Sequence, residues 1–231
     1  MILALETATE FGGVALLEGA CVLAERELAR EQHHARLLLA ELERLLSASG
    51  RRLEEVELIA LSIGPGSFTG LRIGLATVLG LCFGTARKIV PVPTLAALSL
   101  HAGDARRIVP MLDARRKQVY TGLYGPGAVA LREDRVCDPR AWFEKLRAEG
   151  PVQLLGPGAE LYREMAVEVL GAAAQLADPE QGRPRASSVG RLGARLVREG
   201  AARSPEAVEL RYLRRAEAEE KGPLDTFPRN P

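Results

Sequence analysis

This chain of 231 residues has only three cysteines and three histidines, and each scarcity closes off a class of chemistry. Cys21, Cys82 and Cys137 are odd in number, widely spaced and contain no Cys-x-x-Cys pair. That excludes a zinc ribbon and suits a reduced, cytoplasmic protein. His33 and His34 are neighbours, so on a helix they point about 100° apart, and His101 stands alone. No His-Glu-x-x-His is present, so a metallopeptidase has no ligand set to rest on. The formal net charge is +1, which supplies no basic field for holding nucleic acid unaided. Ile73 to Ala86 carries no charge, yet it falls short of the roughly 20 residues that span a bilayer. Met1 to Leu5 runs into Glu6 without a basic region, so no signal peptide is expected.

What is present concentrates in one string, Gly64-Pro65-Gly66-Ser67-Phe68-Thr69-Gly70-Leu71-Arg72-Ile73-Gly74. It follows the apolar run Leu58 to Ser62, which reads as a buried strand, and it leads into an apolar helix from Leu71 to Ala86. A strand, a glycine turn and a helix present backbone N–H groups where an anion or another backbone can approach. The standard phosphate motifs fail, because no lysine follows at P-loop spacing and Gly-x-Gly-x-x-Gly is not matched. A Gly-x-Ser-x-Gly elbow fails too, since Pro65 stands where its first glycine belongs. On the helix, Gly70, Gly74, Thr77 and Gly84 share one face around Leu81, and an all-round apolar helix is buried on more than one side. That stripe either packs inside the chain or meets a second polypeptide. The expectation carried forward is a partner interface of Gly70, Gly74, Thr77, Leu81 and Gly84, with Leu37 and Leu38 from a neighbouring helix.

A repeat organises the rest. Ile2 to Leu5 reads as a strand ending in the acidic Glu6, followed by Thr7 and Thr9, and two further strands cover Gly12 to Leu17 and Cys21 to Leu28. Ile108 to Leu112 likewise ends in Asp113, and strands follow at Gln118 to Tyr124 and Ala128 to Val136. Val152 to Leu155 runs into Gly156-Pro157-Gly158 and a helix from Ala159 to Leu170, echoing the first glycine turn. The simplest architecture is a duplicated β-β-β-α-β-α unit, with subdomains at 1–103 and 104–213 and a charged tail at 214–231. Between the strands, Glu31 to Ser49 carries Ala35, Leu38, Leu39, Leu42, Leu45 and Leu46 at helical spacing, with Leu37 off the stripe. Asp138-Pro139 reads as an N-cap with proline at the first helical position, and Ser187 or Ser188 reads as the cap of a later helix.

The duplicated unit, with an acid ending the first strand of each half, resembles the actin, sugar kinase and heat-shock chaperone superfamily, an α/β, ribonuclease H-like fold. Ile2 to Glu10, Gly64 to Gly74 and Leu112-Asp113-Ala114-Arg115-Arg116 further resemble the TsaB (YeaZ) family. The resemblance is dense from Met1 to about Tyr124 and rests beyond Val136 on element order and Tyr212-Leu213-Arg214. It departs at Glu6, where the family usually has Asp, and at Leu210, where it usually has Pro.

The resemblance implies a non-catalytic scaffold and activating subunit for threonylcarbamoyladenosine formation on tRNA, beside the anticodon. TsaD and TsaE would be its partners, a homodimer would form when it is alone, and tRNA would be reached only through the complex. ATP and metal would belong to the partner subunits. TsaD carries a His-x-x-x-His pair after the equivalent turn, and Thr94 and Leu98 stand at those positions here. In the superfamily the two strand-end acids hold a magnesium–phosphate, which would set Glu6 and Asp113 facing each other across a cleft, with Thr7 and Thr9 as hydroxyl donors. The alternative is therefore a magnesium- and ATP-dependent kinase or ATPase of the sugar-kinase type. Arg106, Arg107, Arg115, Arg116 and Lys117 form a basic cluster, read either as a direct tRNA contact or, as the ordinary explanation, as solvated strand-end charges.

Overall fold

A computed structural model describes residues 1–28, 35–103 and 105–214. His33, His34 and the charged tail beyond Arg214 lie outside the described residues. The first half contains strands β1 (Ile2–Glu6), β2 (Gly13–Glu18), β3 (Cys21–Glu27), β4 (Leu58–Gly64) and β5 (Lys88–Pro93). Its helices are α1 (Ala35–Ala48), α2 (Phe68–Cys82) and α3 (Thr94–Ser99). The second half repeats the order with β6 (Ile108–Asp113), β7 (Val119–Gly125), β8 (Val129–Cys137), α4 (Pro139–Leu146) and β9 (Val152–Leu155). Then come α5 (Pro157–Leu161), α6 (Arg163–Leu170), β10 (Ala174–Leu176) and α7 (Ala186–Arg198).

Each half builds a five-stranded sheet, in the orders β3-β2-β1-β4-β5 and β10-β9-β6-β7-β8. In both, the first three strands form an antiparallel meander and the last two join in parallel. The duplication is thus one of topology and strand sense, that of the actin-like, ribonuclease H-like fold.

Strand alternation sorts the core into layers. Leu3, Leu5, Leu16, Ile59 and Leu61 face outward under Leu38, Leu42, Leu45 and Val78 of α1 and α2. Ala4, Ala15, Ala60, Val90 and Val92 face inward, toward α3, α7 and the second sheet. Val109, Met111 and Leu154 complete a third layer with Trp142 and Phe143 of α4. A boundary at residue 103 separates the two sheets, but it does not separate the helices. Both α3 and α7 lie in the middle layer, and α7 packs on the first sheet although it follows the second.

Several element ends differ from the sequence expectation for local reasons. The helix expected over 159–170 breaks at Tyr162, whose backbone (φ −111°, ψ 23°) is not helical. Helix α2 begins a turn earlier than Leu71 because Ser67 caps it, its hydroxyl accepting from the Gly70 N–H at 3.2 Å. It stops before Gly84, which takes φ +68°. Asp138 caps α4 as expected, accepting from the Ala141 N–H at 2.9 Å. Ser187 and Ser188 do not cap α7; they sit inside it, and the Ser187 N–H donates instead to the Glu25 carboxylate of β3 at 2.8 Å. Leu39, expected on the buried stripe of α1, is 42% exposed, and Leu37 is half-buried.

Candidate functional site

The two halves enclose a cleft of about 690 Å³. One wall is Ala8 to Glu10 with the turn Pro65 to Thr69, and the other is Leu112 to Arg116 with Tyr120 and Pro157. Arg211 to Arg214 close its side. Asp113, Thr9 and most of the glycine turn therefore line the cleft, and Glu6 and Thr7 do not.

Glu6 ends β1 on the side of Ile2 and Ala4, and it is 1% exposed. Its carboxylate accepts the Ala8 N–H at 2.7 Å, and the Ser62 hydroxyl also bonds to it. Burial dominates over these hydrogen bonds and pushes its pKa up to about 7. A carboxyl half protonated near neutrality and sealed from the cleft is a poor ligand for a hydrated magnesium ion, which needs oxygen donors beside retained waters. Asp113 repeats the local geometry, accepting the Arg115 N–H at 2.8 Å, and pairs with the Arg115 guanidinium at 3.3 Å. The two acids thus each hold their own following turn. The expectation that they face each other across the cleft is corrected: Glu6 is turned back onto its own backbone.

The glycine string has a definite physical role. Ser67 donates its N–H to Ala8 O at 2.7 Å. A Cβ on Gly66 would lie 2.3 Å from Ala8 O, and one on Gly70 would lie 2.1 Å from Thr7 O. A Cβ on Gly74 would lie 2.2 Å from Thr7 Oγ1. The glycines therefore make room for the Thr7-Ala8 backbone and the Thr7 side chain, which pack against the turn and α2. Thr7 is buried against α2 and is not a donor into the cleft, while Thr9 accepts the Phe11 N–H at 3.3 Å.

This packing also corrects the interface expectation. Gly70, Gly74 and Thr77 are buried against residues of their own chain, and Leu38 is 1% exposed in the core. Leu37 and Leu81 are half-buried, and Gly84 is exposed beyond the helix end. The outward side of α2 carries Arg72, Ala76, Leu79 and, just past the helix end, Phe83, of which Leu79 is 38% and Phe83 90% exposed. Periodicity alone does not single out this face because α2 is apolar on nearly every side.

Thr94 and Leu98 have structural work of their own. The Thr94 hydroxyl accepts the Gly64 N–H at 3.1 Å, and Leu98 is 1% exposed in the middle layer. Among the described residues, no three His, Cys, Asp or Glu side chains gather closely enough to hold a metal ion. The basic cluster expected from sequence is divided between the two ends of β6, with Arg106 and Arg107 before it and Arg115, Arg116 and Lys117 after it. The latter three adopt left-handed backbone (φ 61°, 52° and 58°), and Arg115 and Arg116 line the cleft. Among the described residues, no helix is long and apolar enough to cross a membrane.

Comparison with known proteins gives a consistent assignment. The family model described as TsaD, tRNA N6-adenosine threonylcarbamoyltransferase, matches residues 22–221. The tRNA threonylcarbamoyladenosine biosynthesis protein TsaB of Bacillus subtilis is 32% identical, over 95% of this chain and 96% of its own. TsaB of Escherichia coli is 30% identical over 96% of this chain and 98% of its own. The solved structure of YeaZ from Pseudomonas aeruginosa superposes with a TM-score of 0.75 at 30% identity, covering 92% of this chain and 99% of that one. The chain belongs to the family of that TsaD model in its broad sense and, within it, to TsaB (YeaZ).

Proposed function

We propose that this protein is a non-catalytic supporting subunit in the formation of threonylcarbamoyladenosine on tRNA, acting with TsaD and TsaE in the cytoplasm. The relatives at 30–32% identity carry the name of that biosynthesis. The observation that supports the non-catalytic part is Glu6, which is sealed from the cleft at 1% exposure. A kinase of the sugar-kinase type needs both acids open to the cleft. ATP and metal are accordingly assigned to the partner subunits, and tRNA is reached through the complex.

The surface offered to TsaD, or to a second copy in its absence, is the outward face of α2 around Leu79 and Phe83. Exposed apolar groups gathered on one surface mark an interaction site, and Phe83 at 90% exposure is the largest of them here. Omitting each subunit in turn from a reconstituted modification assay tests the reading. TsaD and TsaE are expected to lose product when this chain is left out, and this chain alone is expected to make none. Magnesium-dependent ATP turnover by the purified chain would refute the non-catalytic role.

A further inference from the structure

The segment Arg211-Tyr212-Leu213-Arg214, part of the sequence resemblance but unused by the proposed function, runs along the open side of the cleft. Its backbone belongs to the first half. The Arg211 N–H donates to Ile63 O at 2.8 Å, and a Cβ on Gly64 would lie 2.4 Å from Arg211 O, so the strap lies directly on the end of β4. Tyr212 packs its ring on Phe68 with centroids 5.2 Å apart, and the Arg72 guanidinium covers Phe68 at 3.8 Å.

The two arginine side chains reach the other way. Arg211 pairs at 2.8 Å with Asp134 of β8, whose side chain is only 2% exposed. Asp134 also accepts the Tyr124 hydroxyl of β7. A nearly buried carboxylate must be compensated by charge and hydrogen bonds, and Arg211 supplies the charge from the far side of the cleft. Arg214 donates to Ala114 O at 2.8 Å and to the Gln118 side chain, both in the second half. Four residues therefore grip the first half by backbone and aromatic contacts, and the second by two guanidinium groups.

We propose that Arg211 to Arg214 form a brace that holds the two halves at one fixed opening, with Asp134 as its buried anchor. Clefts of hinged enzymes close and open around their ligands; this one is tied across its side. The brace is a property of the free chain and does not depend on its role in tRNA modification.

The test uses the purified protein without tRNA or other subunits. Arg211→Ala and Arg214→Ala each cut a contact to the second half while leaving every contact to the first. Hydrogen exchange is read on the far wall, residues 8–10 and 65–69, together with the radius of gyration from small-angle scattering. The brace predicts at least about tenfold faster exchange on that far wall in Arg211→Ala, with a larger radius and unchanged protection of the sheet interiors. Faster exchange confined to β7, β8 and the strap would overturn it. Should Arg211→Ala fail to fold, Arg214→Ala decides alone, because its side-chain hydrogen bonds among the described residues go to Ala114 and Gln118, both in the second half. Loosening that reaches residues 65–69 in Arg214→Ala supports the brace, and loosening limited to residues 112–118 overturns it.

Discussion

Replacing Glu6 by Gln makes a quantitative test of how the strand-end acid is held. The carboxyl is buried and titrates near 7, against an ordinary value of 4.5. The folded state therefore keeps its proton to higher pH than the unfolded chain does. Below pH 4.5 both states are protonated and the group contributes no penalty. As pH rises from 4.5 through about 7 the unfolded chain releases the proton first, so stability falls. Above 7 the full difference is in place, about 3 kcal/mol at ~1.36 kcal/mol per pKa unit. Gln is neutral at every pH and nearly isosteric, and its carbonyl oxygen can still accept the Ala8 N–H. Glu6→Gln should thus gain about 3 kcal/mol relative to wild type at pH 8 and under about 0.5 kcal/mol at pH 4.5. Urea denaturation at both pH values, extrapolated to water, reads this directly. Comparing the two proteins at each pH cancels every other titrating group, and any fixed cost of seating the amide cancels between the two pH values. If the gain is the same at pH 4.5 and 8, Glu6 ionises like an ordinary carboxylate. Its protonation would then be no obstacle to a role as a magnesium ligand.

Other substitutions test the remaining contacts. Gly74→Ala places a methyl against Thr7 Oγ1 and should cost about 1–3 kcal/mol in urea denaturation, whereas Gly80→Ala meets nothing within 4 Å and should gain up to about 1 kcal/mol. Leu79→Glu combined with Phe83→Glu should leave the melting transition within about 0.5 kcal/mol of wild type and abolish both self-association and capture of TsaD, read by light scattering and pull-down. Arg87→Met removes donors to the carbonyls of Leu53, Val56 and Leu81 at 2.7, 3.0 and 2.8 Å. It should lower stability by about 2 kcal/mol, with the exchange of residues 53–56 and 81–85 accelerated first.

The duplication was legible because it rests on element order, and element order rests on long-range apolar pattern. Apolar runs ending in Glu6 and Asp113 stand at equivalent places in the two sheets, and Asp138-Pro139 marks α4 by local chemistry. Three features were not legible, two of them because a distant residue decides the outcome. Ser187 and Ser188 are sound cap residues, but Glu25 of β3 already takes the N–H that a cap would serve. Tyr162 reads as helical until the observed backbone at that position breaks the segment in two. Asp134 lies in a charged, half-exposed strand, and nothing local announces that Arg211, 77 positions along, will bury and neutralise it.

The most specific string in the chain illustrates a limit of motif reading. A glycine is demanded wherever a backbone must come close, and the sequence does not say whose backbone. Here Gly66, Gly70 and Gly74 form a track along one side of the turn and α2, and the chain that fills it is Thr7-Ala8 from the end of β1. The same small-residue stripe read as a docking face is therefore a seam between strand and helix. Once that side of α2 is committed inward, the exposed apolar groups Leu79 and Phe83 are left on the other side. Burial of one side of α2 and exposure of the other thus share one cause. The end of β1 takes up the glycine side of the turn and α2, so the apolar groups left exposed lie on the opposite side of the helix and just past its end.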